Sequence, residues 1–275
     1  MKKQTDGDIL KFLVDYLWKE MSDQSSNFFL PKLLSSQDIS YDPYIAGDWD
    51  MGALPDSTNT VCTINFEPGT CIGLPTLQLS DVEIKGLYNL QPTQGMPEVN
   101  DTNVKATLNF CTLPMGTPYV TSQYITVTGN YLYSQLCKAD NDEHQYITDG
   151  RGTFTTYIFE AQGYGDMDIV PDPNDPDNKL MVIMNEMKMI VNSTTSLNLC
   201  NAPGAPKNSN ICISIQMDSG TSYNFLANKA ANYKTVSDTI ISKINEKLQD
   251  PKALKDISAM LTKQINNLAE NLKEN

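Results

Sequence analysis

The chain has 275 residues, 33 of them acidic against 20 basic, for a net charge of −13. That length is enough to bury a substantial core within one elaborated domain. The charge argues against nucleic-acid binding, whose affinity comes largely from Lys and Arg neutralising phosphates, and it leaves any membrane contact to apolar burial and not to attraction by anionic lipid.

The opening stretch MKKQTDGDILKFLVDYLW has no uninterrupted apolar segment and no small-residue cleavage site. No run in the chain approaches about 18 apolar residues, so neither a signal peptide nor a transmembrane span is legible. Residues 6–21 place Ile9, Leu10, Leu13, Tyr16, Leu17 and Met21 on one helical stripe after a polar Thr5-Asp6 start, which predicts an amphipathic helix. From Ser22 to about Thr70 the chain reads as irregular. It holds Pro31, Pro43, Pro55 and Pro68, with one short strand in the run TVCTINF.

From residue 75 the apolar period becomes two. Leu77 and Leu79 alternate with polar neighbours, then Val82 and Ile84 alternate in the opposite phase, which predicts a bulge near Ser80-Asp81. Val104, Ala106, Leu108 and Phe110 form a dry face against Lys105, Thr107 and Asn109. The pattern continues through Ile125, Val127, Gly129, Tyr131 and Tyr133, and then through Tyr157, Phe159, Ala161, Gly163, Gly165, Met167 and Ile169. KLMVIMNEMKMIV begins apolar on both sides and then alternates through Met187, Met189 and Val191. Long strands joined by turn-rich loops predict a meandering antiparallel sheet.

The C-terminal fifth returns to helical spacing. Tyr233, Val236, Ile240, Ile241, Ile244 and Leu248 recur at steps of three and four, as do Leu254, Ile257, Leu261, Ile265, Leu268 and Leu272. Asp250-Pro251 between them supplies an N-cap followed by proline at the first helical position. Two helices, or one kinked helix, would then pack against the sheet in an α+β arrangement. The chain divides into an N-terminal helix and irregular segment (1–70), an antiparallel sheet (71–225) and C-terminal helices (226–275), all within one domain.

Chemistry-bearing patterns are sparse. Cys62, Cys71, Cys111, Cys137, Cys200 and Cys212 include no CxxC, and His144 is the only histidine, so zinc-ligand spacing is absent. Cys62 with Cys71 and Cys200 with Cys212 could each bridge across a hairpin, or remain free core residues. No base other than His144, in the polar run KADNDEHQYITDG, is available to a serine or cysteine nucleophile. The carboxylate pairs Asp48/Asp50 and Asp166/Asp168 read as solvated or structural acids before they read as a glycosidase dyad. PDPNDPDN, with Asp172, Asn174, Asp175, Asp177 and Asn178, looks like a calcium cluster, but it lacks the EF-hand glycine and glutamate and makes a good hairpin turn. GRGTF does not open a helix, as a phosphate-binding loop would. The chain therefore reads as a non-enzyme with no cofactor and no metal site.

Four segments carry a family resemblance: CIGLPTLQLSDVEIKGLYNL (71–90), TGNYLY (128–133), GRGTFTTYIFEAQGYGDMDI (150–169) and TVSDTIISKINEKL (235–248). In pattern and order they resemble the tubular lipid-binding superfamily of takeout and juvenile-hormone-binding proteins and mite group 7 allergens, over residues 71–273. The chain departs from the secreted insect members in showing neither a signal peptide nor an early cysteine pair, and in this it is more similar to the accessory proteins of clostridial neurotoxin gene clusters. The resemblance implies a long, strongly curved antiparallel sheet wrapped around a long C-terminal helix, with an apolar tunnel for a lipid or other hydrophobic small molecule. The strand faces and the helix would then line it, through Val104, Leu108, Phe110, Tyr157, Phe159, Met181, Ile183, Met187, Met189, Ile240 and Ile244. Methionine suits such a lining because it adapts to irregular apolar shapes. The competing expectation is a filled core, in which the same residues pack against one another and the chain acts as a toxin-accessory or other interaction protein through a protein partner or a membrane.

Overall fold

The computed structural model describes residues 6–30, 32, 43–55, 61–64, 67–86, 90–93, 95–110, 124–139, 145–175, 179–191, 200, 205, 209–220, 226 and 230–274. Its fold class is α+β, mostly antiparallel sheet with one N-terminal and two C-terminal helices. The strands form two sheets. The first holds β1 (Tyr44–Ala53), β2 (Val61–Ile64), β3 (Glu67–Lys85), β7 (Tyr124–Ala139), β8 (Gln145–Phe159) and β11 (Ile211–Gly220), in the order β1-β3-β7-β8-β11 with β2 also paired to β3. The second holds β4 (Leu90–Pro92), β5 (Glu98–Asn100), β6 (Asn103–Phe110), β9 (Ala161–Pro171) and β10 (Leu180–Val191), in the order β10-β9-β6-β4 with β5 also paired to β6.

The expected antiparallel sheet is hydrogen-bonded as two sheets. One expectation is corrected here: the segment read as irregular contributes β1 as well as the short β2. Strand β1 was hidden because Gly47 and Gly52 adopt positive φ (77° and 71°) and its pairing with β3 shifts register three times, so no period of two survives in YIAGDWDMGA.

The places where apolar alternation changes phase organise the sheets. The bulge expected near Ser80-Asp81 is present: Asp81 has φ 51° and the β3–β7 register shifts between Ser80 and Glu83, so Leu77, Leu79, Val82 and Ile84 all face the core. Its partners explain the carboxylate at Asp48, which accepts the Asp81 N–H at 3.2 Å, while Asp81 accepts from the Asn130 amide at 2.9 Å. A second change falls at Glu160 (φ 52°), where the chain leaves the first sheet and enters the second. Before it Phe154, Thr156 and Ile158 point inward, and after it Ala161 and Ile169 do. Tyr157 and Phe159 therefore belong to the outer face of the first sheet, not to the dry series read from the sequence. There they make an edge-to-face cluster with Tyr124, at centroid distances of 5.0 and 5.7 Å. A third shift, between Met184 and Glu186, moves the inward phase of β10 from Val182 and Met184 to Met187 and Met189.

Close backbone packing makes Gly152 obligatory, since a Cβ there would lie 2.0 Å from the Gln216 carbonyl oxygen on β11. The glycine in GRGTF is thus a strand-packing residue.

Helix α1 (Asp6–Ser22) buries Leu10, Val14, Trp18 and Met21, while Ile9 is 47% exposed. The helical reading was right, but the inward face is rotated from the stripe read in the sequence, because Val14 and Trp18 take the place of Ile9 and Tyr16. Helices α2 (Ala230–Leu248) and α3 (Pro251–Glu274) are separated as expected, with the Asp250 carboxylate accepting the Lys252 N–H at 2.8 Å and the Ala253 N–H at 3.4 Å. Helix α2 fills the first sheet's core: Tyr233, Val236, Ile240 and Ile244 pack with Leu77, Ile84, Ile125, Ile158 and Met189.

Strand β10 is an edge strand, and helical side chains occupy its free edge. Ser258 accepts the Met184 N–H (2.9 Å), Thr262 the Val182 N–H (2.9 Å) and Asn266 the Leu180 N–H (2.9 Å), and Asn266 returns a donor to the Leu180 carbonyl at 2.8 Å. On α2, Asn245 accepts the Met189 N–H at 2.6 Å and donates to its carbonyl at 3.2 Å, and Gln249 donates to the Met187 carbonyl. The edge of the first sheet is handled similarly at β11, where Tyr233 accepts the Ile213 N–H and donates to the Ile211 carbonyl, both at 2.8 Å.

The cysteines follow the register. The Cys200–Cys212 bridge is present, with Cα atoms 5.1 Å apart. The Cys62–Cys71 pairing is not: β2 sets Cys62 opposite Gly69, two residues short of Cys71, and Cys71 is a free thiol. Cys111 and His144 lie outside the described residues.

Two stability changes are expected. Asn266→Leu should lower unfolding free energy by about 2 kcal/mol, because the Leu180 N–H and carbonyl lose their partner while the helix keeps its apolar contacts. Gly152→Ala should cost about 3 kcal/mol, because β8 and β11 must separate to admit the methyl group. Urea denaturation followed by far-ultraviolet circular dichroism checks both.

Candidate functional site

An apolar cavity of about 470 Å³ lies between the inner face of the second sheet and helices α1 and α3. This is within the range of small-molecule pockets, roughly 300–1,000 Å³. Strands β6, β9 and β10 supply the floor, α1 one wall through Val14, Leu17, Trp18 and Met21, and α3 another through Ile257, Ala259, Met260 and Leu261.

The sequence makes space here by placing small residues on facing strands. The register sets Ala106 opposite Gly165 and Leu108 opposite Gly163, and on the other side of β9 it sets Gly165 opposite Met187. Where larger side chains would meet the helices, two glycines and an alanine leave a gap. Gly165 is not forced by backbone crowding, since a Cβ there would find its nearest neighbours at 3.8 Å, an ordinary contact with Met167 and Met184. Five methionines, Met21, Met167, Met184, Met187 and Met260, line the space with flexible thioether chains.

Helix α1 is held over the cavity mainly by apolar burial, each buried side chain contributing about 1.5–3 kcal/mol. A hydrogen bond from Trp18 Nε1–H to the Thr93 carbonyl, at 3.3 Å, assists. Charged groups touch only the margin. Lys188 lies 4.5 Å over the Tyr164 ring and 3.1 Å from the Glu186 carboxylate, so its charge is balanced at the rim. Asp256 and Lys263 border the α3 side.

Of the residues expected to line a tunnel, Val104, Leu108, Phe110 and Met187 are brought together on this cavity. The others are elsewhere. Met189, Ile240 and Ile244 are packed in the filled core under the first sheet. Ile183 is 41% exposed on the opposite face of β10 from Val182, and Met181 shares that opposite phase, half-buried. Tyr157 and Phe159 are on the outer face of the first sheet. The phase shifts at Glu160 and in β10 account for the misplaced strand residues. The α1 wall was missed because an amphipathic helix read alone does not reveal what it faces. The glycines at 163 and 165 were visible as small residues in a dry strand series, which is the one local signal for a gap.

The carboxylates have structural partners. Asp50 accepts the Gly52 N–H at 2.9 Å. Asn103 donates to Asp166 at 2.7 Å and to Asp168 at 3.2 Å, and Asn185 donates to Asp168 at 3.0 Å. The hydrogen bond from Asn185, and then that from Asn103, holds Asp168 below the usual carboxylate range. A carboxylate so stabilised is a poor proton donor. The Asp172 side chain accepts the Asn174 N–H at 2.9 Å, an Asx turn within the expected hairpin between β9 and β10; Asp177 and Asn178 lie outside the described residues. Among the described residues no cluster of His, Cys, Asp or Glu could hold a metal ion, and no helix is long and apolar enough to cross a membrane.

No family model matches the sequence, and no curated protein is similar to it in sequence. Among solved structures, the chain is similar to Takeout 1 of Epiphyas postvittana, with 11% identity, a TM-score of 0.37 and coverage of 93% of this chain and 90% of that one. It is also similar to a lipopolysaccharide binding protein, with 12% identity and a TM-score of 0.41, covering 92% of this chain but only 39% of the other. Both belong to the tubular lipid-binding superfamily that the sequence motifs resemble. At these TM-scores the likeness carries no argument about the cavity, whose reading rests on its own residues.

Proposed function

We propose that this protein binds a lipid or other hydrophobic small molecule, without catalysis, in the cavity between the second sheet, α1 and α3. The observation that carries the reading is a gap of about 470 Å³ bordered by aliphatic and thioether side chains and floored by Ala106, Gly163 and Gly165. Burial of an apolar chain there is favourable at roughly 25 cal/mol per Å² of surface removed from water. The methionine-rich walls suit ligands of variable shape, and the balanced Lys188–Glu186 pair at the rim leaves the interior without a charge for a ligand to neutralise.

Native mass spectrometry of the purified protein, compared with its denatured mass, should show a retained apolar molecule at one per chain, and a fluorescent fatty acid should bind saturably to delipidated protein. A chain that neither carries nor takes up any apolar ligand overturns the reading.

Substitutions separate the cavity from the core. Gly165→Leu should fill the gap and weaken binding about ten-fold or more, a loss of about 1.4 kcal/mol. Gly165→Ala should leave the fold intact and raise stability by about 0.5 kcal/mol through the unfolded chain's entropy. Ile244→Ala should behave oppositely, lowering stability by about 2–5 kcal/mol while the folded protein keeps its affinity. Fluorescence titration with thermal unfolding of the same samples distinguishes the two classes.

A further inference from the structure

The thiol chemistry of the first sheet is independent of the apolar cavity. Cys71 on β3 and Cys137 on β7 are direct partners in the antiparallel register, between the pairs Thr70↔Lys138 and Ile72↔Leu136. Directly opposed residues project from the same face of a sheet with Cα atoms about 4.5–5.5 Å apart, inside the roughly 4.4–6.8 Å window of disulfides. Cys71 is a free thiol, half-buried. Cys137 is fully buried and already disulfide-bonded, to a cysteine whose side chain is outside the described residues. A free thiol thus lies directly across the strand pair from a residue that already carries a disulfide.

We propose that Cys71 and Cys137 form an intramolecular thiol–disulfide exchange site, at which the bridge held by Cys137 is transferred to Cys71 and back. In the forward step the Cys71 thiol gives its proton to solvent and its sulfur attacks Sγ of Cys137. The Cys71–Cys137 bond forms as the existing bond to Cys137 breaks, and the former partner leaves as a thiolate that takes up a proton. One disulfide and one thiol enter and one of each emerges, so no oxidant or reductant is consumed. The new bridge would tie β3 to β7 at the end where their pairing is interrupted: the register slips between Ile72 and Thr76, Gly73 has φ 71°, and Leu74 is 52% exposed. Burial pushes the Cys71 thiol up from its ordinary value, which keeps the thiolate scarce near neutrality and the transfer slow unless a base or thiol catalyst is supplied.

Disulfide mapping of the full chain tests this. Folded protein is incubated at about pH 8.5 with a trace of reduced glutathione, quenched at intervals by acid alkylation, digested and analysed by mass spectrometry. The expected result is two interconverting isomers, one with Cys71 alkylated and one with a Cys71–Cys137 cross-linked peptide and a different cysteine alkylated, at unchanged total thiol count. Starting from either isomer supports the proposal provided both appear on incubation. Cys71→Ser should freeze the alkylation pattern, and circular dichroism of that variant confirms that it is folded. A single isomer that never yields to the other, in folded wild-type protein with the catalyst present, overturns the proposal.

Discussion

The arrangement depends on how the free edge of β10 is closed. An edge strand exposes unpaired N–H and carbonyl groups, which invite another chain to pair with it. Here a helix supplies the missing partners through Ser258, Thr262 and Asn266, bonded to Met184, Val182 and Leu180. Four helical residues rise about 6 Å and two strand residues about 6.7 Å, so one polar side chain per helical turn meets every second strand residue over the length of the ladder. The same steps of four and two recur where Asn245 and Gln249 meet Met189 and Met187. The break between the two runs coincides with the turn before Pro251 on the helical side and the bulge after Met184 on the strand side.

This ladder also positions the cavity. Because polar side chains fix α3 along the edge of β10, its apolar residues Ile257, Met260 and Leu261 are carried over the face of the second sheet and not pressed fully onto it. Helix α2 behaves differently. Its apolar stripe inserts directly into the first sheet's core, with Tyr233 and Ile240 completely buried. The two C-terminal helices share a composition and a period, yet one closes a filled core and the other walls a hollow one. The difference lies in the strands opposite: large residues such as Leu77, Ile125 and Ile158 face α2, whereas Ala106, Gly163 and Gly165 face α3 and α1.

Phase changes in the strands are the second organising device. At Asp81, Glu160 and the β10 bulge, one irregular residue reverses which side chains face inward. The first was legible because apolar residues on either side, Leu79 and Val82, broke an otherwise regular alternation. The second was not, because Tyr157 and Phe159 continue in sequence the phase that begins at Ala161, and aromatic residues on a sheet's outer face look the same as residues in its core. The turn at Glu160 both passes the chain between sheets and moves those rings outside.

Local chemistry alone determined most of the element types, the N-cap at Asp250, the bulge near Asp81, the hairpin turn around Asp172 and the poverty of catalytic groups, because each depends on neighbours a few residues apart. Only the tertiary structure decided the division into two sheets, the rotation of α1 that turns Val14 and Trp18 inward, the direct opposition of Cys71 and Cys137, and the place where packing leaves a gap. That gap is a sum over side-chain volumes brought by α1, β6, β9, β10 and α3 from positions up to the whole chain apart. The period of any single element records which of its faces is dry, but not whether the faces opposite it are large enough to fill the space between them.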